Sequence, residues 1–393
     1  MKTRFLMVGS CEYSGSGKGM TYYGEALNAS GFTVEFLSFG EPHACLAHPS
    51  RFSGMRRHVV QPATLPFDGS PTIASSLALV NDILQWMAAQ ADERLVLWGH
   101  YLYPYATSVL LASAVSTERA GGIDCLITPA GSDVWDPDLY LMPLVTKCYS
   151  TAKPRATIFY SSRFLQEATR AYSCFAEDGP TVIRPVLPDE HFRPGSATER
   201  ANLRQSLGVR EQDVMIALVS NMRACKNLQS LEHFLRIFHV LELKPVVLLV
   251  GPVREYPVDG CRVINTGVVQ DVRPYLWASD LSFNVSLKDS FNFALLESML
   301  CEIPTITTRQ AAISDDMREV ETASVVDTDE GCSVAATGEL VRELLTNRSF
   351  AKAFGARQRK AMQQRFGLSM NCERFRTDIA AVLNGKGAKN EGL

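Results

Sequence analysis

One pattern constrains this chain more than any other: short apolar strands alternating with helices, interrupted near Pro185 and then begun afresh. Arg4 to Val8 is an apolar run that ends in Gly9-Ser10, as a buried parallel strand entering a loop does. A helix is expected from Lys18 to Ser30, stopped by Gly31, and a second strand over Phe32 to Ser38 completes a βαβ opening. Further strands are expected at Leu95 to Trp98, Cys125 to Thr128, Ala156 to Tyr160 and Thr181 to Ile183, with helices over Ala74 to Ala91 and Pro104 to Ser116. Around Pro185, Pro188 and Pro194 the periodic apolar signal lapses, and Val186 to Pro194 reads as a linker. The alternation then resumes: strands over Val214 to Ser220, Pro245 to Val250, Cys261 to Asn265, Leu281 to Val285 and Thr305 to Thr307, and helices over Leu228 to Leu241, Val272 to Ala278 and Ala294 to Cys301. A last segment, Ser349 to Leu383, reads as wholly helical. Two successive doubly wound α/β domains are the economical account, and 393 residues suit two cores better than one.

Composition removes whole classes of function. Hydrophobic content of 46% and charged content of 21% are those of a folded globular chain. A formal charge of -3 with no basic run offers nothing to a nucleic-acid backbone. The 10 cysteines are scattered, without C-x-x-C or histidines at ligand spacing, so they read as reduced buried thiols, no zinc site is expected, and a cytoplasmic location follows. The apolar run at the N-terminus is too short for a signal peptide, and no stretch approaches a membrane span. Peripheral attachment to a membrane surface stays open.

In the first half, Ser14-Gly15-Ser16-Gly17-Lys18-Gly19 lies between the first strand and first helix, where backbone amides hold anions. A Walker A loop is excluded by Glu12 and Gly19, and G-x-G-x-x-G by Met20. Gly15 and Gly17 therefore read either as a bare turn or as a close backbone approach to a diphosphate or sugar. His100 ends a strand at the edge where open α/β sheets bind ligands, although a lone histidine also serves structure. Ser132 and Asp133 end the next strand's loop, Thr128-Pro129-Ala130-Gly131-Ser132-Asp133; Asp133 reads equally as a substrate contact and as a helix cap. Asp136-Pro137-Asp138 imitates a D-x-D metal motif but reads better as the start of a loop.

In the second half, Ser220-Asn221-Met222-Arg223-Ala224-Cys225-Lys226-Asn227 sets two cations three residues apart at a strand-to-helix turn, which suits a departing diphosphate. The most informative stretch is Asp289-Ser290-Phe291-Asn292-Phe293, followed on the same helix by Glu297. A carboxylate at each end could hold vicinal hydroxyls, and a glutamate on an otherwise apolar helix face is costly without a partner.

These residues resemble the retaining GT-B glycosyltransferases of the family 4 type, strongly from Ser220 to Thr307. The family's E-x7-E motif, E-G-F-G-x-x-x-x-E-A-M, stands here as Asp289-x7-Glu297 with Ser298-Met299, and its S-N-x-R-x-x-K as Ser220 to Lys226. The resemblance implies two Rossmann-like domains facing across a cleft: an acceptor side over 1–187, a nucleotide-sugar side over 195–369, and a terminal helix over 370–393 crossing back to the first. It implies that Glu297 binds ribose, Asp289 contacts the transferred sugar, the amides of Ser290, Phe291, Asn292 and Phe293 cradle sugar and phosphate, and Arg223 and Lys226, with Asn221 beside them, hold the diphosphate. It further implies a UDP- or GDP-sugar donor, a small-molecule, glycan or lipid-linked hydroxyl acceptor, front-face transfer with retention, and no metal or other cofactor. Two departures stand out: Asp289 is one methylene shorter than the family's glutamate, and Ala130 replaces the histidine of the usual H-G-S-D loop. A sugar-nucleotide epimerase of the same fold and a non-catalytic nucleotide-sugar-binding subunit are the rival readings; the paired Arg223 and Lys226 favour transfer.

Overall fold

A computed structural model describes residues 2–10, 15–39, 55–60, 73–90, 93–116, 123–135, 142–152, 156–172, 175, 182–220, 234–235, 237–252, 260–284, 286, 288–309, 311–320, 325–326 and 334–384. The chain divides into two compact units, Met1–Leu187 with Asn371–Leu393, and Pro188–Met370.

Unit 1 is built on β1 (Thr3–Val8), β2 (Thr33–Phe39), β3 (Arg56–Val60), β4 (Arg94–His100), β5 (Ile123–Thr128) and β6 (Ala156–Ile158), all parallel in the order β3-β2-β1-β4-β5-β6. Phe5, Leu6, Met7 and Val8 are all buried, because helices cover both faces of a central parallel strand and no position along it meets water. One face carries α1 (Gly15–Ala29) and the other α2 (Ile73–Ala88) and α3 (Thr107–Val115). Beneath α1, Tyr23, Trp98 and Phe159 form an aromatic cluster with ring centroids 4.9 to 5.8 Å apart. Phe375 of the last helix stacks on Tyr23 at 6.1 Å, and Arg94 donates to Leu383 O at 3.0 Å.

The sequence pattern misses β3, whose first residues are Arg56, Arg57 and His58. One of these, His58, pairs at 2.6 Å with the buried carboxylate of Glu35 on β2, which also accepts from Arg4 at 2.6 Å and Trp86 at 3.1 Å. Burial opposes charge on Glu35, but these partners outweigh it and hold its carboxyl below the ordinary range.

Unit 2 repeats the topology with β7 (Met215–Val219), β8 (Val246–Val250), β9 (Arg262–Asn265), β10 (Leu281–Asn284), β11 (Thr305–Thr308) and β12 (Val325–Val326), in the order β12-β11-β10-β7-β8-β9. The proline-rich segment after Leu187 is tied down within this unit. His191 O accepts from Arg273 at 3.1 Å and Arg193 O from the Trp277 indole at 2.8 Å, while the Arg193 guanidinium lies 4.6 Å over the Trp277 ring.

The helical stretch near the C-terminus is two helices, Arg348–Phe366 and Leu368–Leu383, separated at Gly367. The break has a long-range cause. Asp189 accepts from Ser369 N at 3.1 Å, from Ser369 Oγ at 2.7 Å and from Gln363 Nε2 at 3.2 Å, which caps the second helix. A Cβ on Gly367 would lie 2.6 Å from Gln363 O and 2.9 Å from Asp189 Cγ, so only glycine admits this approach.

Candidate functional site

In each unit the strand order reverses beside the first strand, between β1 and β4 and between β7 and β10. Open α/β sheets bind ligands outside the carboxyl ends of strands at that reversal. The loops after β1, β4, β7 and β10 are therefore the ones to build a site from.

In unit 1, Gly9 ends β1 against His100. A Cβ there would meet Met20 Sδ at 2.3 Å and His100 O at 3.2 Å, so glycine is what lets the loop lie on the end of β4. His100 is buried, 6.3 Å from the Tyr23 ring. The helix begins at Gly15, three residues before the Lys18 start expected from sequence, so Gly15 and Gly17 belong to the first turn of α1 and not to a loop ahead of it. The early start still leaves glycines where helix N-terminal amides concentrate.

Asp133 is held by backbone amides of its own and the neighbouring loop. Its carboxylate is fully buried and accepts from Gly131 N at 2.7 Å, Leu102 N at 2.8 Å and Ala130 N at 3.1 Å. It clasps the loop after β5 to the turn Leu102–Ala106 after β4. Burial is the dominant influence and pushes its carboxyl up to about 6 in spite of those amides. Ser132 stands one residue earlier, at the start of the same short helix.

In unit 2, Ser220 ends β7, donating to Val250 O at 3.0 Å; Asn221, Arg223 and Lys226 lie outside the described residues. The loop after β10 is organised by two buried residues that the sequence reading missed. Asn284 accepts from Ser286 N at 3.0 Å and from Ser286 Oγ at 2.5 Å, Thr308 Oγ1 donates to Ser286 O at 2.7 Å, and Ser286 Oγ also lies 3.3 Å from Asp289 Oδ2. Polar residues closing an apolar strand were the available signal.

The carboxylate of Asp289 turns back on its own turn, where Oδ1 accepts from Asn292 N at 3.0 Å and Phe291 N at 3.4 Å. Two of the four amides expected to cradle a ligand are thus bonded within the turn, to the carboxylate expected on a sugar. The shorter side chain explains it, because an aspartate reaches the amides two and three residues on. Ser290 is half-buried within this turn. The rings of Phe291 and Phe293 pack together at 5.1 Å, and Phe291 on Phe366 at 5.3 Å, so these side chains serve the core.

Asn292 adopts φ 64°, ψ 69°, a left-handed conformation that asparagine tolerates better than most residues. It caps the helix Phe293–Leu300, its Oδ1 accepting from Leu295 N at 3.4 Å. Its Nδ2 is buried and meets no hydrogen-bond partner among the described residues, a condition that costs about 1 to 3 kcal/mol. Glu297 lies one turn further on, 0% exposed. Burial together with the Glu297 charge pushes the Cys301 thiol up. The structure thus brings Asp289 to Phe293 and Glu297 onto one turn and helix in unit 2, and sets Gly15, Gly17 and His100 at the β1–β4 edge of unit 1.

Among the described residues no cluster of three or more His, Cys, Asp or Glu is placed to hold a metal ion, and no helix is long and apolar enough to cross a membrane. Cys125, Cys148, Cys261, Cys301 and Cys372 are free thiols.

Residues 213–347 match the family described as Glycosyl transferases group 1. The chain is 24% identical over 327 residues to N-acetyl-alpha-D-glucosaminyl L-malate synthase of Bacillus anthracis, covering 79% of this chain and 81% of that one. Of the solved structures, Anabaena Alr3699/HepE in complex with UDP and glucose matches with a TM-score of 0.69 at 16% identity over 97% of this chain and 99% of that one. A glycosyltransferase from Rickettsia africae matches with a TM-score of 0.71 at 15% identity over 98% of this chain and 99% of that one.

Proposed function

Taking the chain as a GT-B glycosyltransferase of the family 4 type, we propose that it moves a sugar from a nucleoside diphosphate-sugar to a hydroxyl acceptor with retention of configuration. The observation that carries this reading is the turn-and-helix from Asp289 to Glu297, set at the carboxyl end of β10 beside the reversal of strand order in unit 2. A helix N-terminus there suits a diphosphate, and a carboxylate one turn in suits ribose hydroxyls.

In this reading Glu297 holds the ribose, and Arg223 and Lys226 neutralise the charge that grows on the diphosphate as its bond to the sugar breaks. The acceptor oxygen forms its bond to the anomeric carbon on the face the diphosphate leaves, and its proton passes to a departing phosphate oxygen. No protein nucleophile is required, so positioning and charge stabilisation account for the rate. The two cations do the work a divalent metal does elsewhere, and the enzyme operates in the cytoplasm without one. A uridine nucleotide is the first donor to test, since the Anabaena structure holds UDP and glucose. The name of the Bacillus anthracis relative joins an aminosugar to malate, which supports a hydroxyl acceptor.

The test is release of nucleoside diphosphate from UDP- and GDP-sugars, with and without hydroxyl acceptors, in buffer containing EDTA. Acceptor-dependent release and an NMR-defined product of unchanged anomeric configuration are expected. An inverted product would refute retention, and activity abolished by EDTA and restored by magnesium or manganese would refute metal independence. A rearranged free sugar without acceptor would indicate the epimerase.

A further inference from the structure

Asn292 has one half of its side chain in use and the other half idle. Oδ1 is committed to Leu295 N, the third residue of the helix it caps. Nδ2 belongs to the same side-chain amide and so stays at the N-terminal end of Phe293–Leu300, the end that Asn292 caps. That nitrogen is buried without a partner among the described residues, on a residue only 6% exposed. The carboxylate of Asp289, three residues earlier in the same turn, is otherwise engaged: Oδ1 accepts from the amides of Phe291 and Asn292, and Oδ2 lies by Ser286 Oγ. A donor of two protons without an acceptor, at a helix end whose peptide dipoles favour negative charge, is the complement of an anionic oxygen.

We propose that Asn292 Nδ2 donates to a diphosphate oxygen of the nucleoside diphosphate-sugar, which makes Asn292 a side-chain determinant of donor binding. The inference rests on reading Asp289 to Glu297 as the donor site. The idle N–H is a cost carried by the free protein and removed when the donor enters. It also explains how the turn keeps a donor for the diphosphate after two of its backbone amides have been claimed by Asp289.

Calorimetric titration of wild type with uridine, guanosine and adenosine diphosphates selects the base; the preferred diphosphate and its glucose conjugate are then titrated into three variants. Asn292→Gly suits a φ of 64° and deletes Nδ2 without adding charge. Asn292→Asp keeps the capping oxygen and replaces the donor by an acceptor, and its thermal melt reports that the cap survives. Both should bind both ligands at least about 10-fold more weakly, the aspartate variant by up to about 100-fold or more. Wild-type affinity in Asn292→Gly, or a loss confined to the sugar conjugate, overturns the proposal. Glu297→Gln runs alongside: weakened binding there with none in Asn292→Gly rejects the Asn292 contact alone. Unchanged binding in both, or no nucleotide bound by wild type, rejects the donor site as well.

Discussion

Asp133 offers a direct test of whether the loop after β5 is clasped or open to substrate. Its carboxyl is pushed up from an ordinary 3.8 to about 6 by burial. A folded-state value above the unfolded one means that the folded protein holds the proton more tightly. Stability from this group is therefore complete below about pH 3.8 and is lost as pH rises through about 6. At 1.36 kcal/mol per pH unit the full loss is about 3 kcal/mol, of which about 2 kcal/mol falls between roughly pH 4.5 and 7.5. Asp133→Asn removes the titration. It also turns an amide nitrogen toward one of the donors Gly131 N, Leu102 N and Ala130 N, which costs about 1 to 3 kcal/mol at every pH. The signature is thus a slope and not an offset: across that pH range the variant should gain about 2 kcal/mol on wild type. Denaturant unfolding followed by tryptophan fluorescence is the assay, since Trp86, Trp98 and Trp135 report unit 1 and only Trp277 reports unit 2. Parallel stability curves, together with lost donor binding in the variant, would refute the clasp and return Asp133 to the substrate.

Two further perturbations follow from the second unit. Lys226→Ala should lower kcat about 100- to 1000-fold while weakening donor binding less, because the charge it would stabilise develops in the transition state; steady-state kinetics with wild-type kcat would place the leaving-group site elsewhere. Asp189→Ala strips the acceptor from Ser369 N, Ser369 Oγ and Gln363 Nε2 and should cost about 3 kcal/mol, with Asp189→Asn costing less; an unchanged unfolding midpoint would show that the joint at Gly367 holds without it.

The two sheets were legible because parallel strands covered on both faces have to be continuously apolar, and runs such as Phe5 to Val8 and Val246 to Val250 carry that signal unaided. Where the fold departs from the reading, the cause lies far off in sequence. β3 reads as a charged segment until Glu35, on β2, meets His58 on it. The last helical stretch runs unbroken in sequence, but Asp189, 180 residues before Ser369, caps a new helix inside it. A two-residue strand such as β12 carries no periodicity at all.

The site was legible as a place and less so as a set of atoms, and Asp289 explains why. Sequence reports that a carboxylate stands at the end of β10, ahead of a helix, and topology makes that a binding edge. It does not report which donors the carboxylate satisfies, and that choice turns on one methylene. An aspartate at the head of a turn closes on the amides two and three residues later, as Asp289 does with Phe291 N and Asn292 N, whereas a glutamate can extend beyond them. Asp133 follows the same logic at the other sheet, where a short acidic side chain after a strand is consumed by Ala130 N and Gly131 N within hydrogen-bond reach. In the sequence Asp289 reads as reaching outward and Asp133 equally as a substrate contact and as a helix cap; in the structure both are bonded to the loops that define those edges. Among the described residues the Asn292 side-chain amide is then a polar group at the β10 edge whose N–H stays unmatched, and no acidic-residue motif would single it out.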